Sequence, residues 1–144
     1  MIVPDANLLL YAYDSSSPFH DRARAWWETC LSGSGTIGLV HPVIFAFVRI
    51  GTSTRAFERP LTLEQVSKHV AAWLDRSVTR VLQPDHDHVT RVLDLLHGIQ
   101  AASPNLVTDA QVAAIAMAHK ATVHTADRDF MRFHGLECVF PLES

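Results

Sequence analysis

The chain has no apolar run approaching the roughly 18 residues that a membrane-spanning helix needs. Nor does a basic segment followed by an apolar core open it, so it is read as mature from Met1 and expected in the cytoplasm, away from membranes. Cysteine is scarce: Cys30 and Cys138 are the only two, and no Cys-x-x-Cys or zinc spacing occurs. That excludes a disulfide framework and a structural zinc site. Lysine is nearly missing as well, with two (Lys68 and Lys120) against ten arginines. A positive balance is absent, because the formal net charge is −3. An acidic total argues against broad electrostatic binding of nucleic acid, whereas arginine's planar fork leaves a local RNA-contacting patch open. Repeats, low-complexity tracts and dividing linkers are lacking too, so residues 1–144 are read as one domain. At 48% hydrophobic residues, a chain of this length buries roughly 68–70% of its unfolded surface.

What is present is a recurrence. Three apolar runs end at an aspartate: Ile2-Val3-Pro4-Asp5, Asn105-Leu106-Val107-Thr108-Asp109 and Thr122-Val123-His124-Thr125-Ala126-Asp127. In a parallel sheet the carboxyl ends of the strands floor the crevice where ligands bind. Acids placed just past such runs therefore reach one rim from distant parts of the chain. Crowded carboxylates repel, and a divalent cation relieves the repulsion. For each acid taken singly, a helix cap is the plainer explanation; the joint pattern favours a metal site. Asn7 adds a neutral oxygen two residues after Asp5, and Asp129 stands two after Asp127. Oxygen donors of this kind select magnesium or manganese rather than zinc. Thr108 is expected to cap the helix that follows it, and Thr125 to orient Asp127 or hydrogen-bond a phosphate oxygen.

The surrounding pattern predicts alternating strands and helices. Strands are expected at Met1–Asp5, Thr36–Val40, Thr79–Leu82, Ala121–Thr125 and Glu137–Phe140. A helix over His20–Leu31, with Ser17 as cap and Pro18 in its first turn, buries Ala23, Trp26, Trp27 and Cys30. Pro42–Ile50 is read as a helix because Pro42 suits a helix start. Thr62-Leu63-Glu64-Gln65 is a capping box opening a helix to about Asp75. Helices over Asp85 to about Ala101 and Asp109–His119, the turn Ser103-Pro104-Asn105 between them, and a short helical turn over Asp129–Phe133 complete the set. This is an α/β chain with a parallel sheet and helices on both faces.

Three segments together resemble a known family. Ile-Val-Pro-Asp-Ala-Asn-Leu-Leu-Leu-Tyr, then Asn-Leu-Val-Thr-Asp-Ala-Gln-Val-Ala-Ala-Ile-Ala, then His-Thr-Ala-Asp-Arg-Asp-Phe is similar in content and order to PIN domains. More narrowly, the chain resembles the VapC toxins of bacterial type II toxin–antitoxin systems over its whole length. The resemblance implies a three-layer α/β/α sandwich around a mainly parallel sheet of four to five strands. It also implies a Mg²⁺-dependent endoribonuclease (Mn²⁺ substituting) that acts on structured RNA such as tRNA, is held by a VapB-type antitoxin and forms a homodimer. By position, Asp5, Asp109 and Asp127 take the metal-site acids, Asp129 assists, and Asn7 or Thr125 orients them. One position departs from the pattern: Ala46 or Phe47 stands where the family carries a glutamate shortly before an arginine, here Arg49.

Other constellations are weaker. Asp85-His86-Asp87-His88 has the wrong spacing to gather ligands on one helix face and reads as an acidic first turn with solvent-facing histidines. Trp26 or Trp27 is free to stack on RNA while the other packs in the core. Arg49, Arg55 and Arg59 could line an RNA path or simply a solvated face. The hydrolysis expected uses no histidine base and no covalent nucleophile. Two rivals remain. An aspartyl-phosphate enzyme lacks the second acid and well-placed lysine it needs. A degenerate PIN fold that binds RNA or protein without cutting is favoured by the absent glutamate and opposed by the three retained acids.

Overall fold

A computed structural model describes residues 1–99 and 104–143. The short apolar run Ile2–Pro4 forms strand β1, and α1 (Ala6–Tyr13) starts immediately after Asp5. Then come α2 (His20–Ser32), β2 (Ile37–Leu39), α3 (His41–Gly51) and α4 (Leu63–Leu74). The chain continues through β3 (Thr79–Val81), α5 (His88–Ile99), α6 (Asn105–Ala118) and β4 (Thr122–His124). A 3-10 turn over Arg128–Arg132 leads to β5 (Cys138–Val139). The five strands form one sheet in the order β3-β2-β1-β4-β5, and every pairing is parallel. The architecture is the expected α/β/α sandwich, with five strands.

β1 lies at the centre because its residues are buried on both faces. It pairs with β4 in the register Ile2–Thr122, Val3–Val123 and Pro4–His124, so the ends of two strands far apart in sequence finish level. On its other side Ile2 meets Ile37 of β2. At Gly38 in β2 a Cβ would sit 2.5 Å from the Leu82 side chain, which would have to move to admit it. Trp27, Phe47 and Trp73 form an aromatic cluster, fully buried, with Phe47 and Trp73 ring centroids 4.7 Å apart. The Trp73 indole N–H donates to the Tyr13 hydroxyl at 2.8 Å, which satisfies that ring's polar edge, whereas the buried Trp27 N–H has no partner among the described residues. Of the tryptophan pair, Trp27 is the core residue; Trp26 is half-buried and stacks on His124.

Four expectations need correction. Residues Asn105–Thr108 are the first turn of α6, not a strand. Leu106 and Ala110 are buried while Val107 and Thr108 are exposed, a helical rather than an alternating pattern. Thr108 is therefore not the cap; Pro104 holds that position, without a side-chain bond. Ser17 is not the cap of α2, which begins after Phe19; its hydroxyl instead accepts the Phe19 N–H in the preceding turn. Asp85 and Asp87 precede α5 instead of forming its first turn, and Asp85 is tied to the Asp87 N–H and to Arg91. The capping box stands as read, with Thr62 and Gln65 satisfying each other's backbone amides. The end of the helix expected to about Ala101 and the Ser103 end of the next turn lie outside the described residues.

Candidate active site

Because β1 and β4 are neighbours in register, the residues following them, Asp5 and Thr125, come side by side. Asp5 caps α1: its Oδ1 accepts the Ala6 N–H at 2.7 Å. Its Oδ2 accepts the Thr125 hydroxyl, also at 2.7 Å. The same hydroxyl oxygen accepts the Asp127 N–H at 2.9 Å and the Asn7 side-chain amide at 3.4 Å. Asn7 returns a bond by accepting the Ala126 N–H at 3.3 Å. Asp127 in turn caps the 3-10 turn, accepting the Asp129 N–H at 2.9 Å. A hydroxyl offers one hydrogen and two lone pairs, and Thr125 uses all three. Thr125 is thus a fully committed positioning residue, and the expected donation to a phosphate oxygen has no hydrogen left to make it. Asp5 and Asp127 are caps as well as members of one cluster; the two explanations do not compete.

Asp109 reaches this rim from α6 and not from a strand. It is half-buried, and its pKa is pushed up from 3.8 to about 7, by burial first and then by the charges of Asp5, Asp127 and Asp129. Burial likewise raises the Asp5 carboxyl, which the bonds from Thr125 and Ala6 partly offset and the charge of Asp127 augments. Four carboxylates, from the end of β1, from α6, and from the loop and 3-10 turn after β4, therefore share one electrostatic neighbourhood. Such crowding of acids at low dielectric is the mark of a functional site more than of a stabilising one.

The donors are all oxygen, which matches a hard cation. Among the described residues, however, no three His, Cys, Asp or Glu side chains converge into a ready-made ligand group. The acids meet as adjoining charges and not as a closed cage. Phe47, one of the two positions at which the resemblance expects a glutamate, packs edge-on against Tyr13 and Trp73 in the core. Ala46 is half-buried and Arg49 exposed on the same helix.

Sequence reading passed over a cleft of about 530 Å³ that shares Thr125 and Ala126 with the acid loop. Tyr11, Phe19, Arg22, Phe140, Leu142 and Glu143 complete its lining. No local signal groups residues from both ends of the chain, so only the fold could reveal it.

The model of the PIN domain family matches residues 2–136. The chain belongs to the PIN-domain family, in its VapC branch. Among curated relatives, Ribonuclease VapC33 of Mycobacterium tuberculosis is 40% identical over 142 residues, covering 99% of each chain. Two solved structures share the fold at lower identity. One is VapBC2 from Rickettsia felis, bound to a DNA fragment from its promoter: TM-score 0.68, 21% identity, covering 96% of this chain and 98% of the other. The second is VapC20 of M. tuberculosis, described as a Sarcin-Ricin loop cleaving toxin: TM-score 0.67, 17% identity, covering 95% and 99%.

Proposed function

We propose that this VapC-branch PIN domain is a Mg²⁺-dependent endoribonuclease, the toxin of a toxin–antitoxin pair, that hydrolyses phosphodiester bonds in structured RNA such as tRNA. The observation that carries the reading is the rim where burial, and then the charges of Asp5, Asp127 and Asp129, raise the Asp109 carboxyl to about 7. The ribonuclease name of a relative 40% identical over the full length supports it. So does the occurrence of the fold in a toxin described as cleaving a structured RNA loop.

In this reading Asp5, Asp109 and Asp127 hold Mg²⁺ (or Mn²⁺), with Asp129 assisting. When bound, the ion supplies water activation and charge neutralisation on the attacked phosphate. Thr125 fixes the Asp5 carboxylate and the Asp127 backbone, and Asn7 locks the loop by bonding both Thr125 and Ala126. Arg49, exposed at the end of α3, is offered to the RNA backbone. A VapB-type antitoxin restrains the enzyme, and the protein works in the cytoplasm as a homodimer. Direct attack by water leaves a 3′-hydroxyl and a 5′-phosphate; a 2′,3′-cyclic end would contradict the mechanism. One observation favours the degenerate, non-cutting alternative: of the two positions where a glutamate is expected, Ala46 carries no acid and Phe47 is built into the core. The deciding experiment is sequencing of RNA ends after brief induction of the wild type and of Asp5→Ala. New ends confined to the wild type support the nuclease; identical end profiles support the degenerate binder.

A further inference from the structure

Apart from Thr125 and Ala126, the cleft beside the acid loop is lined by groups the chemistry above does not use. Tyr11 and Phe19 lie with ring centroids 5.1 Å apart, and Phe19 is 39% exposed although large and apolar. Phe140 joins them from the C-terminal segment. That segment is held in place twice: the Arg22 guanidinium donates to the Leu142 carbonyl at 2.7 Å, and Arg128 pairs with Glu143. Arg128 also covers the Phe140 ring at 4.2 Å, and in sequence it sits between Asp127 and Asp129. The segment thus forms part of the cleft lining and is tethered to the element that presents the acids.

Resting on the nuclease reading, we propose that this cleft is a nucleobase subsite: it takes the base of a nucleotide adjoining the scissile phosphate and so selects where RNA is cut. Three observations converge. The shared residues Thr125 and Ala126 join the cleft to the loop that leads into Asp127. The volume falls within the range of small-ligand sites. The charged lining groups are tied to the chain itself, Arg22 by one bond to a carbonyl and Glu143 to Arg128. The rings of Tyr11, Phe19 and Phe140 beside a few polar edges suit a planar base. Aromatic stacking of an unpaired base is how proteins grip single-stranded RNA at modest sequence cost.

The test uses Asp109→Asn protein, so that binding is read without cleavage. Fluorescence anisotropy with short oligo-A, oligo-C, oligo-G and oligo-U RNAs is compared with the same protein carrying Phe19→Leu or Phe140→Leu, which keep apolar bulk but remove an aromatic face. The expected result is a base preference that falls about tenfold in either double variant, the scale of one lost stack. An abasic residue at the preferred position should also weaken binding to Asp109→Asn protein but not to the Phe140→Leu double variant. Unchanged affinity and preference in both double variants would overturn the proposal. So would weakened antitoxin binding with unaltered RNA binding, which would make the cleft a peptide site. No binding to any of the RNAs also overturns the subsite; wild-type cleavage of structured RNA in the same preparation would leave the nuclease reading standing.

Discussion

Asp109 is the residue at which function and stability pull apart. Its ordinary pKa of 3.8 rises to about 7 in the folded protein, so the native state binds its proton more tightly than the unfolded chain does. Linkage then fixes the sign. The stability this proton contributes is fully present below about pH 4 and is lost as pH rises through about 7. Metal-free protein should therefore melt lower at pH 8 than at pH 5, as read by thermal denaturation in chelator. Asp109→Asn should reduce that slope and melt higher than wild type at pH 8. Added Mg²⁺ should raise the wild-type midpoint most at high pH, because a cation replaces the proton. Equal midpoints for wild type and the Asp109→Asn variant across pH and metal would count against a shared acid site. Thr125 offers the complementary case. Thr125→Val keeps the shape but removes the donor to Asp5 and the acceptor for Asp127 and Asn7. It should cost about 1–3 kcal/mol in urea denaturation, and Thr125→Ser should recover most of that loss.

At the scale of elements, the acid rim is assembled from two strand ends and one helix. The strands and the capping box were legible because short apolar runs bounded by turn residues, and a Thr-x-x-Gln before a helical period, carry their signals locally. The Asn105–Thr108 run was misread for a physical reason. Four residues cannot distinguish a buried strand from a buried helical turn, although Leu106, Ala110 and Ala113 already show the spacing of a helix face and are all buried. Asp109 adjoins the charges of Asp5 and Asp127, but a helix and not a strand end carries it there. Contacts separated by more than a hundred residues, such as Thr125 with Asp5 or Arg22 with Leu142, left no trace in the sequence, since nothing local demands them. Helix α3 carries its own prediction. Ala46 is half-buried and Phe47 is core, so Ala46→Glu should be tolerated and should lower the Mg²⁺ concentration needed for half-maximal cleavage. Phe47→Glu should instead cost several kcal/mol by burying a charge among Tyr13 and Trp73. A soluble Phe47→Glu protein as stable as wild type would mean that the aromatic cluster did not displace the family glutamate.

For the whole molecule, a nuclease of this kind must be restrained, and an acidic rim is a natural target for a basic side chain of an inhibitor. Co-expression with the product of the adjacent reading frame should give a complex that co-purifies and rescues growth; absence of both would exclude the antitoxin pairing. Light scattering at micromolar concentration should report a dimer, and a monomer would contradict the assembly proposed. The central claim, that the four-acid rim cuts RNA with a bound divalent ion, is tested most directly by cleavage of a structured RNA across a Mg²⁺ titration. Wild type, Asp5→Asn, Asp109→Asn and Asp129→Asn proteins are compared, each free of antitoxin. The expected outcome is metal-dependent cleavage leaving 5′-phosphate ends in the wild type, a higher metal requirement in Asp129→Asn, and none in the other two. Undiminished cleavage by Asp5→Asn, or no cleavage by wild type even with Mn²⁺, would contradict it.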